Sequence, residues 1–215
     1  MKKLLIAAAG AFGLAQGAAS AAITTYTSEA AFLADTGALT PENFNSFTGE
    51  PSFANTSLAT PSGVSLVTTG TLLNDPLRNA INQPLNASSA VDGTAHANVV
   101  LNSSDDIFTI TLPTAVNAFA ASFRALNDLE RRTDLVVNSE SIIMPILASG
   151  TSVSFFGVTS DVAFTSVSFV LVGKTDGFLV DNVYFGDAEV VPIPAAGLLM
   201  AGAFAGLAGL RRRKG

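Results

Sequence analysis

Carboxylates are the main chemistry-bearing groups of this sequence, because histidine and cysteine are nearly absent. There are 17 Asp and Glu, one histidine (His96) and no cysteine. Without cysteine there are no disulfides, thiolate metal sites or cysteine nucleophiles. A single histidine rules out a multi-histidine zinc site and the His-Glu-x-x-His motif. Neither a Gly-x-Ser-x-Gly elbow nor a glycine-rich phosphate loop is present. Carboxylates alone can act in pairs on glycosidic bonds or bind a hard cation such as calcium. The acids are too scattered to specify a catalytic pair, and the chain reads as a non-enzyme.

One acid stands out by its setting. In Asp176-Gly177-Phe178-Leu179-Val180-Asp181-Asn182-Val183-Tyr184-Phe185-Gly186, strand alternation puts Leu179, Asp181, Val183 and Phe185 on one face. Phe178, Val180, Asn182 and Tyr184 take the other. Both faces are largely apolar, so the strand is expected to be central and Asp181 to be a carboxylate among core residues. A buried charge must be compensated. Backbone N–H groups or an arginine would do so. So would a bound calcium ion, with Glu42 near the domain start and Asp181 near its end as candidate ligands. Asp105, Asp106 and Asp161 are weaker candidates, and no Asp-rich twelve-residue calcium loop occurs. His96 is expected to be a solvent-facing residue at a strand end. Asp128, Glu130, Arg131, Arg132 and Asp134 read as a solvated hairpin loop.

Strands must position these residues. Phe108, Ile110 and Leu112 alternate with Thr109 and Thr111; Phe119, Ala121 and Phe123 alternate with small residues; Val167, Phe169 and Leu171 repeat the pattern. Shorter strand candidates are 64–68, 97–101, 135–138, 142–147 and 153–158, separated by Gly, Pro, Asn, Asp and Ser. Thr27 to Ala34 reads as a short helix with Thr27 as cap, Glu29 in the first turn and Gly37 as a stop. Residues 70–95 are the least regular part. Many short strands with almost no helix imply an all-β fold, a β-sandwich or jelly roll.

Charge and hydropathy divide the chain into three. Residues 22–190 contain all 17 acids but only Arg78, Arg124, Arg131, Arg132 and Lys174 as basic residues, a formal charge of −12. Such a domain repels phosphate backbones, which excludes nucleic acid as a partner, and it favours cations. Residues 1–21 read as a signal peptide. Lys2 and Lys3 precede an apolar run, and Ala19-Ser20-Ala21 supplies the small residues that signal peptidase requires, predicting Ala22 as the mature N-terminus. Residues 191–215 begin with Val191, Pro192, Ile193, Pro194 and Ala195. An apolar stretch runs to Leu210 and Arg211, Arg212, Arg213 and Lys214 follow. A helix over about 190–210 is long enough to enter a bilayer, with the arginines held on the cytoplasmic side.

A proline motif, a short membrane helix and a terminal arginine cluster, in that order, closely resemble the PEP-CTERM sorting signal. Pro192-Ile193-Pro194 stands in place of the usual Pro-Glu-Pro, and is similar to the Val-Pro-Leu-Pro-Ala variant of that signal. The resemblance implies processing by an exosortase-type enzyme, an inner-membrane-anchored intermediate and final location at the cell surface or outside the cell. The middle domain resembles, more loosely, the β-sandwich ectodomains of such proteins, through Glu42-Asn43-Phe44-Asn45-Ser46-Phe47, Phe155 to Asp161 and the closing strand. That closing strand is similar to the last strand of jelly-roll carbohydrate-binding modules, which implies a structural calcium ion between first and last strands. The implied function is that of a non-catalytic surface or matrix protein associated with exopolysaccharide and biofilm. A carbohydrate-binding or adhesive module is the second reading.

Overall fold

Four phenylalanines explain how the chain folds. Phe108, Phe123, Phe169 and Phe178 form one aromatic group with ring centroids 5.5–6.5 Å apart in five pairs. Such separations suit tilted and edge-on ring contacts. Phe108 and Phe123 belong to the same strand, Ile107–Arg124. On a straight strand they would lie about 50 Å apart, yet both touch Phe169 and Phe178. The strand therefore bends back on itself, and the sheet folds over into two facing layers.

The computed structural model describes residues 21–70, 78–84, 90–128, 131–146 and 152–188. The expected signal peptide, up to residue 20, and the sorting tail lie outside them. In chain order the elements are β1 (Ile23–Tyr26), α1 (Glu29–Ala34), β2 (Thr36–Glu42), β3 (Leu58–Ala59), β4 (Ser65–Thr69), β5 (Ala80–Asn82), β6 (His96–Leu101), β7 (Ile107–Arg124), β8 (Thr133–Val137), β9 (Glu140–Ile143), β10 (Val153–Leu171) and β11 (Asp176–Ala188). The fold is all-β and β-sandwich-like. Among the described residues eleven strands form one continuous antiparallel sheet, whose main path runs β5-β6-β11-β7-β10-β8-β9. Among the described residues no helix is long and apolar enough to cross a membrane.

β7 and β10 bend together. Their exposed stretches, 113–115 and 161–163, flank the buried Val116 and Phe164, and the β7–β10 register shifts on both sides of Phe164. Before the bend, β7 lies between β4 and the last part of β10; after it, between β11 and the first part of β10. The sequence pattern suggests separate strands over 108–112 and 118–123, and over 153–158 and 166–171. Pairs of these are continuous, because ladder bonding resumes after each bend. Of residues 142–147, expected as a strand, Ile142 and Ile143 end β9 and 144–146 lie beyond it, while Leu147 falls outside the described residues. Four strands are not foreseen by the pattern: β1, β2, β3 and β5, each of seven residues or fewer.

The helix differs in detail from expectation. Ser28, not Thr27, is its cap, accepting from the Ala31 amide at 3.4 Å, and Gly37 lies inside β2 rather than stopping the helix. Its role is to cover the outer face of β7. Phe32 is fully buried against Ala118 and Ala120, with the rings of Tyr26 and Phe155 at 5.4 and 5.6 Å. Small residues make the space: a Cβ on Gly157 would come within 2.9 Å of the Phe32 ring and 3.0 Å of the Ala120 Cβ.

Removing that ring should leave a cavity under a helix too short to hold itself. Phe32→Ala is expected to cost about 3 kcal/mol, read from urea denaturation. A loss below about 0.5 kcal/mol, as at surface sites, would show that the helix does not seal this face.

Candidate functional site

β11 carries the site. It is an interior strand, paired with β6 and β2 on one side and β7 on the other. Phe178 and Val180 face the core, alongside Val99, Ala97 and Phe123 of the neighbouring strands. Alternation then fails. The β11–β7 register shifts between Asp181 and Tyr184, and Asn182 takes a left-handed conformation, φ 49°. The extra residue is a β-bulge, in a backbone region that asparagine enters more readily than most residues. After it, Val183 and Phe185 are the core residues. The expected grouping of Leu179 and Asp181 with Val183 and Phe185 is therefore corrected. Leu179 and Asp181 face outward, and the bulge turns the next pair inward.

Asp181 is fully buried on that outer side because the loop before β6 closes over it. Its Oδ1 accepts the Asn182 amide at 2.7 Å and its Oδ2 lies 3.4 Å from the Thr94 hydroxyl. Asp92 is its acidic neighbour, and the Thr94 hydroxyl lies within reach of both carboxyls. Asp92 also accepts from the Thr94 amide and hydroxyl, at 3.0 and 2.6 Å, and from the Asn182 side chain at 3.1 Å. Burial pushes the Asp181 carboxyl up to about 8, and the charge of Asp92 adds to the rise against the pull of the Asn182 amide. For Asp92, burial works upward, but the bonds from Thr94 and Asn182 prevail and hold it below the ordinary range. Burial thus favours a proton on Asp181, and the bonds to Asp92 favour its charged form.

The other predicted residues lie apart. Glu42, nearly buried, spends its two oxygens on the Phe44 amide at 2.7 Å and the Ser62 hydroxyl at 2.6 Å. Asp106 accepts the Asn102 and Ser103 amides and closes the turn before β7; Asp105 is exposed beside it. Asp161 is exposed and accepts the Ala22 amide at 2.7 Å. Among the described residues no three His, Asp or Glu gather in a group that could hold a metal. His96 does not face solvent. It is buried at the start of β6, with Nδ1 3.1 Å from the Thr94 carbonyl, and burial lowers its pKa. The charged cluster is not a solvated loop either. Asp128 and Asp134 are buried beneath ion pairs with Arg131 at 2.6 Å and Arg132 at 2.8 Å. Glu130 lies outside the described residues.

A second feature occupies the same outer face. Asn98, Leu179 and Arg124 sit side by side on β6, β11 and β7, and they line a cleft of about 370 Å³ together with Arg78, Arg131 and Thr175. Two buried asparagines set its arginines. Asn79, next to Arg78, bonds through its side chain to Thr68 and to the Val100 amide and carbonyl. Asn127 follows the end of β7. Its side chain bonds the Thr133 amide and carbonyl, while its own amide and the Thr133 hydroxyl donate to the buried Asp176. The backbone at Asn127 and at Thr133, on either side of Arg131, is fixed in this way. Arg124 ties cleft and carboxyl pair together, donating to the Ala90 carbonyl at 2.9 Å in the loop that carries Asp92 and Thr94. The cleft is hidden in the sequence because its residues are dispersed from 78 to 179. The one signal in the sequence is that a domain with five basic residues can bring three of them together.

Comparison of the chain with protein-family models, curated proteins and solved structures finds no match. The site must therefore be judged on its own chemistry.

Asp181 gives a stability test whose sign is fixed. Between the ordinary carboxyl value, 3.8, and about 8, the folded chain keeps a proton that the unfolded chain has lost. This stabilisation is complete below the lower value and disappears as pH rises through the window. Asp176, also raised by burial, adds a slope of the same sign, so the informative quantity is a difference. In chelator-containing buffer, Asp181→Asn should gain on the wild type by at least about 1 kcal/mol between pH 5 and 8. Parallel stability profiles for the two proteins would refute a proton at Asp181.

Proposed function

We propose that the chain is an exported, non-catalytic cell-surface or matrix protein. In this reading its signal peptide is removed after Ala21. An exosortase-type enzyme then sorts it through residues 191–215, and the jelly-roll-like domain associates with exopolysaccharide. The observation that carries the reading lies at the expected cleavage point. The Ala22 amide donates to Asp161 Oδ1 at 2.7 Å, and the Asp161 amide returns a bond to the Ala22 carbonyl at 3.2 Å. Cleavage before Ala22 would turn that amide into an ammonium group already opposite a carboxylate. β1, which starts at the next residue, holds it there by pairing Ile23 with Ser160.

Calcium belongs to the same proposal. Asp92, Asp181 and Thr94 present hard oxygen donors of the kind calcium takes, and an ion there would replace the proton of the carboxyl pair. Glu42 would have to release the Phe44 amide or the Ser62 hydroxyl to join. Calcium bound by the folded state alone would stabilise it by mass action. Chelation should then lower the melting temperature of the wild type but not of Asp181→Asn. A wild-type melting temperature indifferent to chelator would remove calcium from the reading.

N-terminal sequencing of the exported protein should begin at Ala22. In that protein the α-amino group should titrate above its ordinary value of about 7.7–8.0, and Asp161→Asn should restore the ordinary value. A chain still starting at Met1 would end the proposal. Deleting residues 191–215 should release the domain from the cell surface, and unchanged attachment would show that the tail does not sort it.

A further inference from the structure

The outer-face cleft concentrates positive charge on a negative domain. Of the five basic residues between 22 and 190, three line it, and among the described residues no carboxylate does. Their situations differ. Arg131 is committed to Asp128, and Arg78 stands at the exposed rim. Arg124 is the unusual one. It is only 8% exposed, and among the described residues its guanidinium makes one hydrogen bond, to the Ala90 carbonyl. Among the described residues no carboxylate pairs with it. A guanidinium has five N–H donors, and a buried charge lacking a counter-charge is costly to keep. Its fork geometry matches a planar carboxylate better than a point charge would.

The remaining walls narrow the ligand. Asn98 and Thr175 offer neutral hydrogen-bonding groups, and Leu179 and Val100 offer short apolar surface. Hydroxyls need the first kind and the C–H face of a sugar ring the second. At about 370 Å³ the cleft is near the small end of ligand pockets, enough for one or two rings. The surrounding domain, at −12, disfavours a densely charged polymer lying across it.

We propose that the cleft bounded by Arg78, Arg124 and Arg131 on the outer face of β6, β11 and β7 binds a carboxylated saccharide. A uronic acid residue would sit with its carboxylate on Arg124 and its hydroxyls on Asn98 and Thr175. The choice of a saccharide among carboxylates rests on the proposed matrix role; the anion site itself does not, and neither depends on the sorting tail. Because Arg124 also holds the loop bearing Asp92, ligand in the cleft would stiffen the cover over the carboxyl pair.

The test is an NMR titration of the full chain in a nonionic detergent with glucuronate, trigalacturonate, glucose, acetate and an acetylated dipeptide with a free C-terminus. The expected result is that the two uronates shift the arginine Nε–H resonances of the cleft and that glucose does not. Acetate and the dipeptide should bind at least about tenfold more weakly. Uronate affinity should fall as salt is raised, since part of it is electrostatic. Arg124→Gln should lower it by roughly tenfold or more. Should that variant fail to fold, Arg78→Gln at the rim should lower it about threefold. Arg132→Gln removes the same charge outside the cleft and should change it by less than about twofold. Absence of uronate binding would overturn the site while leaving N-terminal processing and tail-dependent sorting to stand on their own tests. Equal binding of acetate or the dipeptide would overturn the saccharide. An equal loss in Arg132→Gln would reduce the effect to overall charge and overturn the cleft.

Discussion

The contact of Phe108 and Phe123 with the shared pair Phe169 and Phe178 is the constraint on which the rest depends. It requires β7 and β10 to bend at the same level, and it brings two regions of a continuous sheet face to face. Fully burying a phenylalanine is worth about 1.5–3 kcal/mol, so the group supplies a large share of a typical domain's net stability. It also fixes which sides of β6, β7 and β11 point away from the core. Asn98, Leu179, Arg124 and Asp181 all occupy that outer side, and they are neighbours because Val99, Phe178, Val180 and Phe123 are packed on the inner one.

Polar burial gives the outer face its precision. Asn79 and Asn127 both adopt left-handed backbone conformations, φ 57° and 55°, and both are almost fully buried. Each uses its side-chain amide to complete the hydrogen bonding of a neighbouring strand, as buried polar groups must. One lies beside Arg78, and the other bonds Thr133, two residues beyond Arg131. The arginines of the cleft therefore stand on anchored backbone, which reduces the ordering cost of binding. The bulge at Asn182 serves the carboxyl pair in the same way, supplying Asp181 with a backbone donor and Asp92 with a side-chain donor.

Period-two alternation makes the long strands readable, since Phe108 to Leu112, Phe119 to Phe123 and Val167 to Leu171 each bury one face. It cannot show that pairs of these segments are single strands, because Pro113 and Asp161 resemble turn residues until a folded sheet shows them at a bend. Alternation also singles out Asp181, but its burial comes from the loop before β6 covering the outer side of the sheet and not from core neighbours in its strand. The same rule misplaces Val183 and Phe185, since one asparagine in a left-handed conformation inverts every later side chain and leaves no trace in hydropathy. His96 defeats a local reading because burial at a strand start depends on a loop folding over it. The cleft lies further still from local pattern, as β6, β7 and β11 alone bring residues 98, 124 and 179 into a row.

The order in which the strands are joined has a consequence for how the chain acquires its shape. β11 is the last strand among the described residues and also an interior one, with partners in β2, β6 and β7. A chain that emerges from its N-terminus cannot complete the layer that holds β2, β6 and the second half of β7 until residues beyond 176 are available. Before then β2, β6 and β7 each lack the neighbour that satisfies their backbone groups on one side. Such long-range pairing makes for slow closure, so the layer that contains β11 is the one that the end of the chain must close. Phe178, in that same strand, completes the aromatic group, so backbone pairing and core packing are finished in one step.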